Sequence, residues 1–565
     1  MSGLKRKVPQ FQKKTCIFLG LILLVSAFLR FYKLGEIPVG HTNDEANYIY
    51  SAYSVWHTGH DLAGNYLPLS FNLFNSFSPV PVYLIAPFLG VLGLSPFAAR
   101  LPFALVGVGF VFLSFLLARK LLNNDFMALA TAFILAVSPW HLQLSRIAYG
   151  GTLALFFYTL AIYIFLATKE KGNVYWSLPA FLLGFYSYHG TKIFFLFFVP
   201  FLIFNFRDEI FKKKMGVTLF VTGFFLILAS FFYVSRTQGV TRQEVFIWNN
   251  LEEIARSVDQ ERLLSTAPLS LKVVFSNKLL SSFWQIGENY LQVVSPGFLF
   301  LEGETGYSSE IYGISSKYGT FSRGMLYLIE LPLLLLGIAY LFGLQKKTRN
   351  FLLISLLLSP LPAALAIDQT YGMRCVMMLP FLAMIVGGGF YFFLIRVKEI
   401  HKKRPFFISL SLALFSIVYL FFISDYLYHY YFRYPLYSSE SWLRSRREVA
   451  ELIGREKGNY EQVYLTNAGD LLIQYAIFNQ VEPKLIQAAY QSESPQVENV
   501  YFIGDCLETN KEPFNPQTHL PPNTLYITHE ACHEETTTEP IGLIKEVGEP
   551  LHVVWKIYER KGDGD

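Results

Sequence analysis

Lys13-Lys14-Thr15-Cys16-Ile17-Phe18-Leu19-Gly20-Leu21-Ile22-Leu23-Leu24-Val25-Ser26-Ala27-Phe28-Leu29-Arg30-Phe31-Tyr32 is a basic pair followed by a long, almost uncharged apolar run. About 20 such residues in a helix match the roughly 30 Å hydrocarbon layer of a bilayer. Val25-Ser26-Ala27 has the small residues of a signal-peptide cleavage site, but apolar character resumes through Phe28, Leu29, Phe31 and Leu34. The stretch therefore reads as a retained first helix, with Arg30 and Lys33 reaching towards the far interface.

The same pattern recurs as far as Ile423. Of 565 residues, 53% are apolar, 54 are Phe and only 16% are charged, against roughly a quarter charged in soluble domains. The net charge of +5 comes from clusters at helix ends, where basic residues set orientation; it implies no nucleic-acid partner. Those clusters are Lys5 to Lys14, Arg119-Lys120, Lys169/Lys171, Arg207 with Lys212-Lys213-Lys214, Lys346-Lys347/Arg349, and Arg396 to Arg404. With all six on the cytoplasmic side, the spans fall near 15–34, 99–118, 125–142, 150–168, 174–190, 191–206, 216–234, 325–344, 351–367, 373–395 and 405–424. The fold class is an all-α polytopic membrane bundle of about 11 transmembrane helices with a small extracytoplasmic α/β C-terminal domain. The protein is expected in the cytoplasmic membrane, N-terminus cytoplasmic. The apolar segment Pro79 to Leu94 breaks this parity if it crosses, and it carries Pro81 and Pro87; it is expected to lie in the interface or to re-enter.

Residues 1–435 thus form the transmembrane part, with long outer loops at 35–100 and 235–323, and 436–565 the soluble domain. In the latter, a helix at 440–453 leads to a strand at 462–466, a helix at 470–478 and strands near 500–503, 524–528 and 552–557, an α/β order. Cys16 and Cys375 sit in apolar segments. Cys506 and Cys532 lie in the tail, where an extracytoplasmic setting permits a disulfide.

Chemistry concentrates in the first outer loop, Gly40-His41-Thr42-Asn43-Asp44-Glu45-Ala46-Asn47-Tyr48. Thr42-x-x-Glu45 is a capping box, and acids in a first helical turn are stabilising without any catalytic role. The same placement holds a carboxylate ionised and oriented, able to take a proton from an attacking hydroxyl, and two adjacent carboxylates have the chemistry to hold a divalent cation. Arg100, Arg146, His189 with Lys192, and Arg374 share the outer side. Each alone reads as an interface anchor; converging, they would cradle a lipid phosphate.

These residues, in order, resemble the bacterial relatives of protein O-mannosyltransferases and lipid A aminoarabinose transferases, membrane glycosyltransferases of the C superfamily. The resemblance covers about residues 15–435. It rests on Asp44-Glu45, Arg100-Leu101-Pro102, Ser138-Pro139-Trp140-His141 with Ser145-Arg146, and Tyr186-Ser187-Tyr188-His189. It continues through Ser295-Pro296 with Phe298-Leu299-Phe300, Met325-Leu326-Tyr327 with Glu330-Leu331-Pro332, and Pro360-Leu361-Pro362-Ala363-Ala364. It implies inverting transfer of one sugar from a polyprenyl-phosphate carrier to an acceptor hydroxyl of a protein, lipid or polysaccharide on the outer face. Asp44 looks like the base and Glu45 its partner. Arg374 and Tyr371, with Arg146, His189, Lys192 and Arg100, would bind the donor phosphate, and Tyr48 and Tyr188 would line the sugar or acceptor pocket. No cofactor is implied beyond a divalent cation on Asp44 and Glu45. Relatives often carry an acidic residue after the arginine matching Arg146, where this chain has Tyr149-Gly150-Gly151, and a histidine before the one matching Arg374, where it has Tyr371-Gly372. Two other readings are a flippase for lipid-linked glycans, which predicts charge at mid-membrane depth, and a non-catalytic envelope assembly protein.

Overall fold

The computed structural model describes residues 13–72, 76–238, 246–247, 251–304, 319, 323–367, 371–402, 404–466, 471–492, 494–503, 514–530, 532, 538–546 and 552–562. Every one of the eleven expected spans contains a helix, and among the described residues six helices are long and apolar enough to cross a membrane: Lys13–Phe31, Pro96–Leu122, Gly150–Lys171, Lys214–Thr237, Met378–Ile400 and Pro405–Tyr437. The chain is a multi-pass membrane protein. Shorter apolar helices cover Pro79–Leu92, Asp125–Val137, Val174–Phe185, His189–Asn205 and Glu330–Leu341.

The elements that build the site are α1 (Lys13–Phe31), α2 (Asn43–Thr58), α3 (Pro79–Leu92), α4 (Pro96–Leu122), α5 (Asp125–Val137), α6 (Pro139–Leu144), α7 (Gly150–Thr168), α8 (Leu178–Phe185) and α9 (Lys192–Asn205). Proline and capping side chains set their limits. The expected span 125–142 ends at Val137 because Pro139 opens α6, where a missing N–H costs nothing. Span 351–367 likewise divides, into Lys346–Leu358 and Leu361–Ala364, around Pro360 and Pro362. The Pro79–Leu94 segment forms α3, 14 residues long. At about 1.5 Å per residue it falls well short of a bilayer, and it packs between α2 and α4.

Packing separates core from lipid face. In Met378–Ile400, a Cβ on Gly389 would lie 1.8 Å from the Leu333 carbonyl oxygen, and one on Gly337 2.0 Å from that of Ile385. The two helices therefore cross backbone to backbone, as small residues allow inside a membrane. Pro405–Tyr428, by contrast, exposes Phe406, Leu410, Leu414, Ile417 and Phe421. At one end of the bundle, Lys347 Nζ lies 2.9 Å from Glu209 and 3.1 Å from Asp208, and Lys169 Nζ lies 3.4 Å from Glu209. Three basic clusters assigned to one side thus meet in one network. The opposite end carries α2, α3 and the small β1–β2 hairpin (β1 Phe71–Asn72, β2 Ser76–Phe77).

The C-terminal sheet has six strands: β3 (Gln462–Leu465), β4 (Gln496–Val497), β5 (Val500–Phe502), β6 (Thr524–His529), β7 (Gly542–Glu546) and β8 (His552–Arg560), in the order β4-β5-β3-β6-β8-β7. β3 runs parallel to β5 and β6, with Val463 opposite both Val500 and Leu525. The helix expected at 440–453 begins at Arg444, after Leu443 adopts φ 53°. Pro483–Tyr490, β4 and β7 have no counterpart in the sequence reading. Cys532 is disulfide-bonded, whereas Cys16 and Cys375 are in no disulfide; Cys506 lies outside the described residues.

This α/β unit sits directly on α2. Gln474 Nε2 donates to the His41 carbonyl at 3.0 Å, Tyr50 Oη to that of Val481 at 2.9 Å, and Gln487 Nε2 to Ser54 Oγ at 3.0 Å. A Cβ on Gly40 would lie 2.1 Å from the Trp442 carbonyl oxygen, so only glycine lets the first loop pass against the turn that precedes Arg444–Glu456.

Candidate active site

Thr42 caps α2 as its sequence suggests, accepting from the Glu45 N–H at 3.2 Å. The capping box is not reciprocal, because the Glu45 side chain turns elsewhere. Oε1 accepts from Arg100 Nε at 2.9 Å and from the Ala148 N–H at 2.8 Å; Oε2 receives Arg100 Nη2 at 2.8 Å and His41 Nδ1 at 2.9 Å. Burial opposes the charge on Glu45, but Arg100 and then His41 outweigh it and hold the carboxyl well below the usual range. Burial pushes His41 down, leaving it neutral with Nδ1–H donating. Both Glu45 oxygens are consumed, and the residue is fully buried. The sequence reading expected Glu45 to share in proton transfer or hold a cation; in the structure its carboxylate is instead bound by Arg100, His41 and the Ala148 N–H. Asp44 is the acid of the pair with the accessible side chain, and no group of three or more acidic, His or Cys side chains placed to hold a metal ion occurs among the described residues.

Arg100 and Arg146, expected at the donor phosphate, are likewise bound within the protein. A guanidinium has five N–H donors. Those of Arg100 go to Glu45 and to the carbonyls of Leu34, Pro38 and Gly40. Those of Arg146 go to Tyr430 Oη and the carbonyls of Leu29, Arg30, Lys33 and Ile37, while its face rests 5.4 Å and 5.5 Å from the Tyr430 and Tyr431 ring centres. Both are fully buried with no donor left for a phosphate. They fasten the turn after α1 to the bundle.

Asp44 faces a different neighbourhood. Its Oδ2 accepts from Tyr149 Oη at 2.6 Å. Tyr149 stands edge-on to Tyr48 at 5.6 Å and to Tyr188 at 5.8 Å. Tyr188 borders a cavity of about 310 Å³ lined also by His189, Lys192, Arg374 and the apolar side chains of Phe185, Leu196, Leu228 and Phe231. Lys192 Nζ lies 2.8 Å from His189 Nδ1 and 4.2 Å from the Phe231 ring centre. An ammonium only donates, so Nδ1 accepts and Nε2 carries the imidazole hydrogen. Arg374 ends the short helix Tyr371–Arg374; the Tyr371 side chain lies outside the described residues. The turn before Arg374 is pinned from two sides: Glu304 Oε2 accepts the Gly372 N–H at 2.6 Å, and Trp140 Nε1 donates to the Gly372 carbonyl at 2.7 Å. Glu304 gave no sequence signal. It lies 68 residues from its partner in a loop without periodicity.

The structure therefore gathers Asp44, Tyr48, Tyr188, His189, Lys192 and Arg374 and sets Glu45, Arg100 and Arg146 apart as scaffold. The arrangement combines a half-buried carboxylate, an aromatic wall and a cation-bearing cavity that is otherwise greasy.

The family model for dolichyl-phosphate-mannose-protein mannosyltransferase matches residues 76–233. A crystal structure of ArnT from Cupriavidus metallidurans bound to undecaprenyl phosphate superposes with a TM-score of 0.51 at 12% identity, covering 96% of this chain and 98% of that one. The chain has the fold of the C-superfamily membrane glycosyltransferases. In sequence it is 29% identical over 172 residues to putative mannosyltransferase YkcB of Bacillus subtilis (strain 168), a match spanning 30% of this chain and 23% of that relative. The archaeal oligosaccharyltransferase AglB from Archaeoglobus fulgidus, solved with an inhibitory peptide and a dolichol-phosphate, aligns at 14% identity with a TM-score of 0.46, over 83% of this chain and 64% of AglB. Within this C-superfamily fold, the matched stretch 76–233 contains the scaffold arginines, Tyr149 and the His189–Lys192 side of the cavity; Asp44 and Arg374 lie outside it.

Proposed function

We propose that this chain transfers a single sugar, with inversion, from a polyprenyl-phosphate carrier to an acceptor hydroxyl at the end of the bundle bearing α2. The observation that carries the reading is the cavity of Lys192, His189 and Arg374, amphiphilic like a lipid phosphate and joined to Asp44 through Tyr188 and Tyr149. The polyprenyl chain would lie against Phe185, Leu196, Leu228 and Phe231, with its phosphate among the cations. Asp44 takes the acceptor proton, the acceptor oxygen attacks the anomeric carbon, and the departing phosphate is already a stable anion, so no strong general acid is needed.

The same reading places the chain in the cytoplasmic membrane, N-terminus inside, with residues 1–435 as the transferase part and 436–565 as a soluble extracytoplasmic domain. The bonded Cys532 supports that side, since disulfides persist in oxidising compartments. The acceptor is a protein, lipid or polysaccharide hydroxyl. The test is reconstitution of the full chain in liposomes with polyprenyl-phosphate hexoses labelled in the sugar, using envelope membranes from cells lacking the protein as acceptor. Label leaving the carrier for a product that withstands mild acid, which cleaves the polyprenyl-phosphate sugar, supports the reading. Wild-type protein that leaves every carrier intact overturns it.

A further inference from the structure

The two consecutive acids of α2 grip two consecutive residues at the start of α7. Glu45 Oε1 holds the Ala148 N–H at 2.8 Å, and Asp44 Oδ2 accepts the Tyr149 phenol at 2.6 Å. Because Glu45 is locked by Arg100 and His41, the backbone that presents Tyr149 is fixed relative to Asp44. Tyr149 is itself almost fully buried, its ring set between those of Tyr48 and Tyr188.

The glycines that follow extend the same turn towards the cavity. A Cβ on Gly150 would lie 1.9 Å from the Ser187 carbonyl oxygen, beside Tyr188. One on Gly151 would lie 2.1 Å from Met373 Sδ, beside Arg374. Further, a Cβ on Gly190 would reach within 3.3 Å of Arg374 Cγ. Residues 148–151 therefore touch the carboxylate on one side and, on the other, Ser187 and Met373, which precede the cavity-lining Tyr188 and Arg374.

We infer that Tyr149 is the positioning residue for Asp44, and that the Gly150-Gly151 pair behind it seats the cation cavity against the same turn. The inference rests on the transferase reading. During transfer the acceptor O–H proton passes to Asp44 and the acceptor oxygen bonds to the anomeric carbon. The bond from that carbon to the phosphate oxygen breaks, and its electron pair leaves with the polyprenyl phosphate. Tyr149 keeps its proton throughout. Its phenol occupies one lone-pair direction of Oδ2 and so directs the rest of the carboxylate at the incoming hydroxyl. The oriented hydrogen bond is to a charged group, the stronger class.

The two halves of the turn predict opposite kinetic signatures. Tyr149→Phe keeps the ring stack and removes only the phenol; kcat should fall about 10- to 100-fold, the size of one charged hydrogen bond, with KM for the carrier unchanged. Gly151→Ala displaces the Met373 side chain, one residue before Arg374; KM for the carrier should rise several-fold with a smaller change in kcat. Binding of polyprenyl phosphate, followed by thermal shift of the full chain in detergent, should be as in wild type for Tyr149→Phe and weakened for Gly151→Ala. Should Tyr149→Phe fail to accumulate in membranes, Tyr149→His, which retains a ring N–H donor, takes its place and should keep more activity than Tyr149→Leu. Equal kcat in wild type and Tyr149→Phe, or a Tyr149→Phe defect confined to KM, overturns the inference while leaving the transferase reading intact. Wild-type protein without transfer overturns the reading beneath it.

Discussion

Arg100 and Arg146 lie at the same end of the bundle as Lys192 and Arg374, yet the two pairs are built differently. The first two have every N–H committed to carbonyls, Tyr430 and Glu45, and no exposed surface. The second two border an open, mostly apolar cavity. Cations of equal charge thus serve as rivets in one case and, in the proposed reading, as a ligand cradle in the other. What separates them is their setting, sealed among backbone carbonyls or bordering a cavity, a property of long-range partners.

The comparison breaks most readily at Arg100. Arg100→Ala would leave Glu45 as a buried, uncompensated charge, which typically costs about 3–5 kcal/mol. The expected outcome is loss of folded protein from the membrane, read by accumulation and by thermal unfolding in detergent. A stable, abundant variant would show that Arg100 is no rivet. Arg374→Ala should do the reverse: unfolding nearly unchanged, and affinity for polyprenyl phosphate weakened about 10- to 100-fold for loss of a charged contact. Arg146→Ala, in the same binding assay, should show its defect in stability alone.

A smaller effect is expected from pH. His41 is pushed below its ordinary value of 6.5 by burial, so the folded protein resists the proton that the unfolded chain accepts. Its contribution to stability is full above that value and is lost as pH falls below it. Glu45, also depressed, adds a second loss only below the ordinary carboxylate range. Thermal unfolding should therefore drop by a few degrees between pH 7.5 and 5.5, an order set by about one proton's linkage, and His41→Gln should flatten that slope. An unchanged slope would mean that His41 is not the group that titrates.

The contrast also marks how far sequence reading reaches. Helical spans are local: apolar run, proline, basic end. All were legible, apart from ends such as Val137 and Leu358 where a proline two residues on decides. Asp44 and Glu45 look alike in sequence, and both fit a cap. Only Arg100, 55 residues away, and the Ala148 N–H, 103 away, show that Glu45 is consumed while Asp44 meets Tyr149. Arg146 likewise bonds carbonyls more than 100 residues distant. In the tail, Pro483–Tyr490 is a single two-turn helix and β7 an edge strand half-exposed along its length. At 8 and 5 residues, neither is long enough to stand out. Their role emerges with the fold, in which Pro483–Tyr490 places Gln487 against α2.

The central claim is that Asp44 and the cation cavity serve one reaction at separate steps. Asp44→Asn, nearly isosteric and still able to accept from Tyr149, isolates the base. In the reconstituted full chain it should bind polyprenyl phosphate with wild-type affinity, yet transfer sugar about 10²- to 10⁴-fold more slowly, as expected for loss of a general base. Wild-type transfer rates in Asp44→Asn would contradict the account.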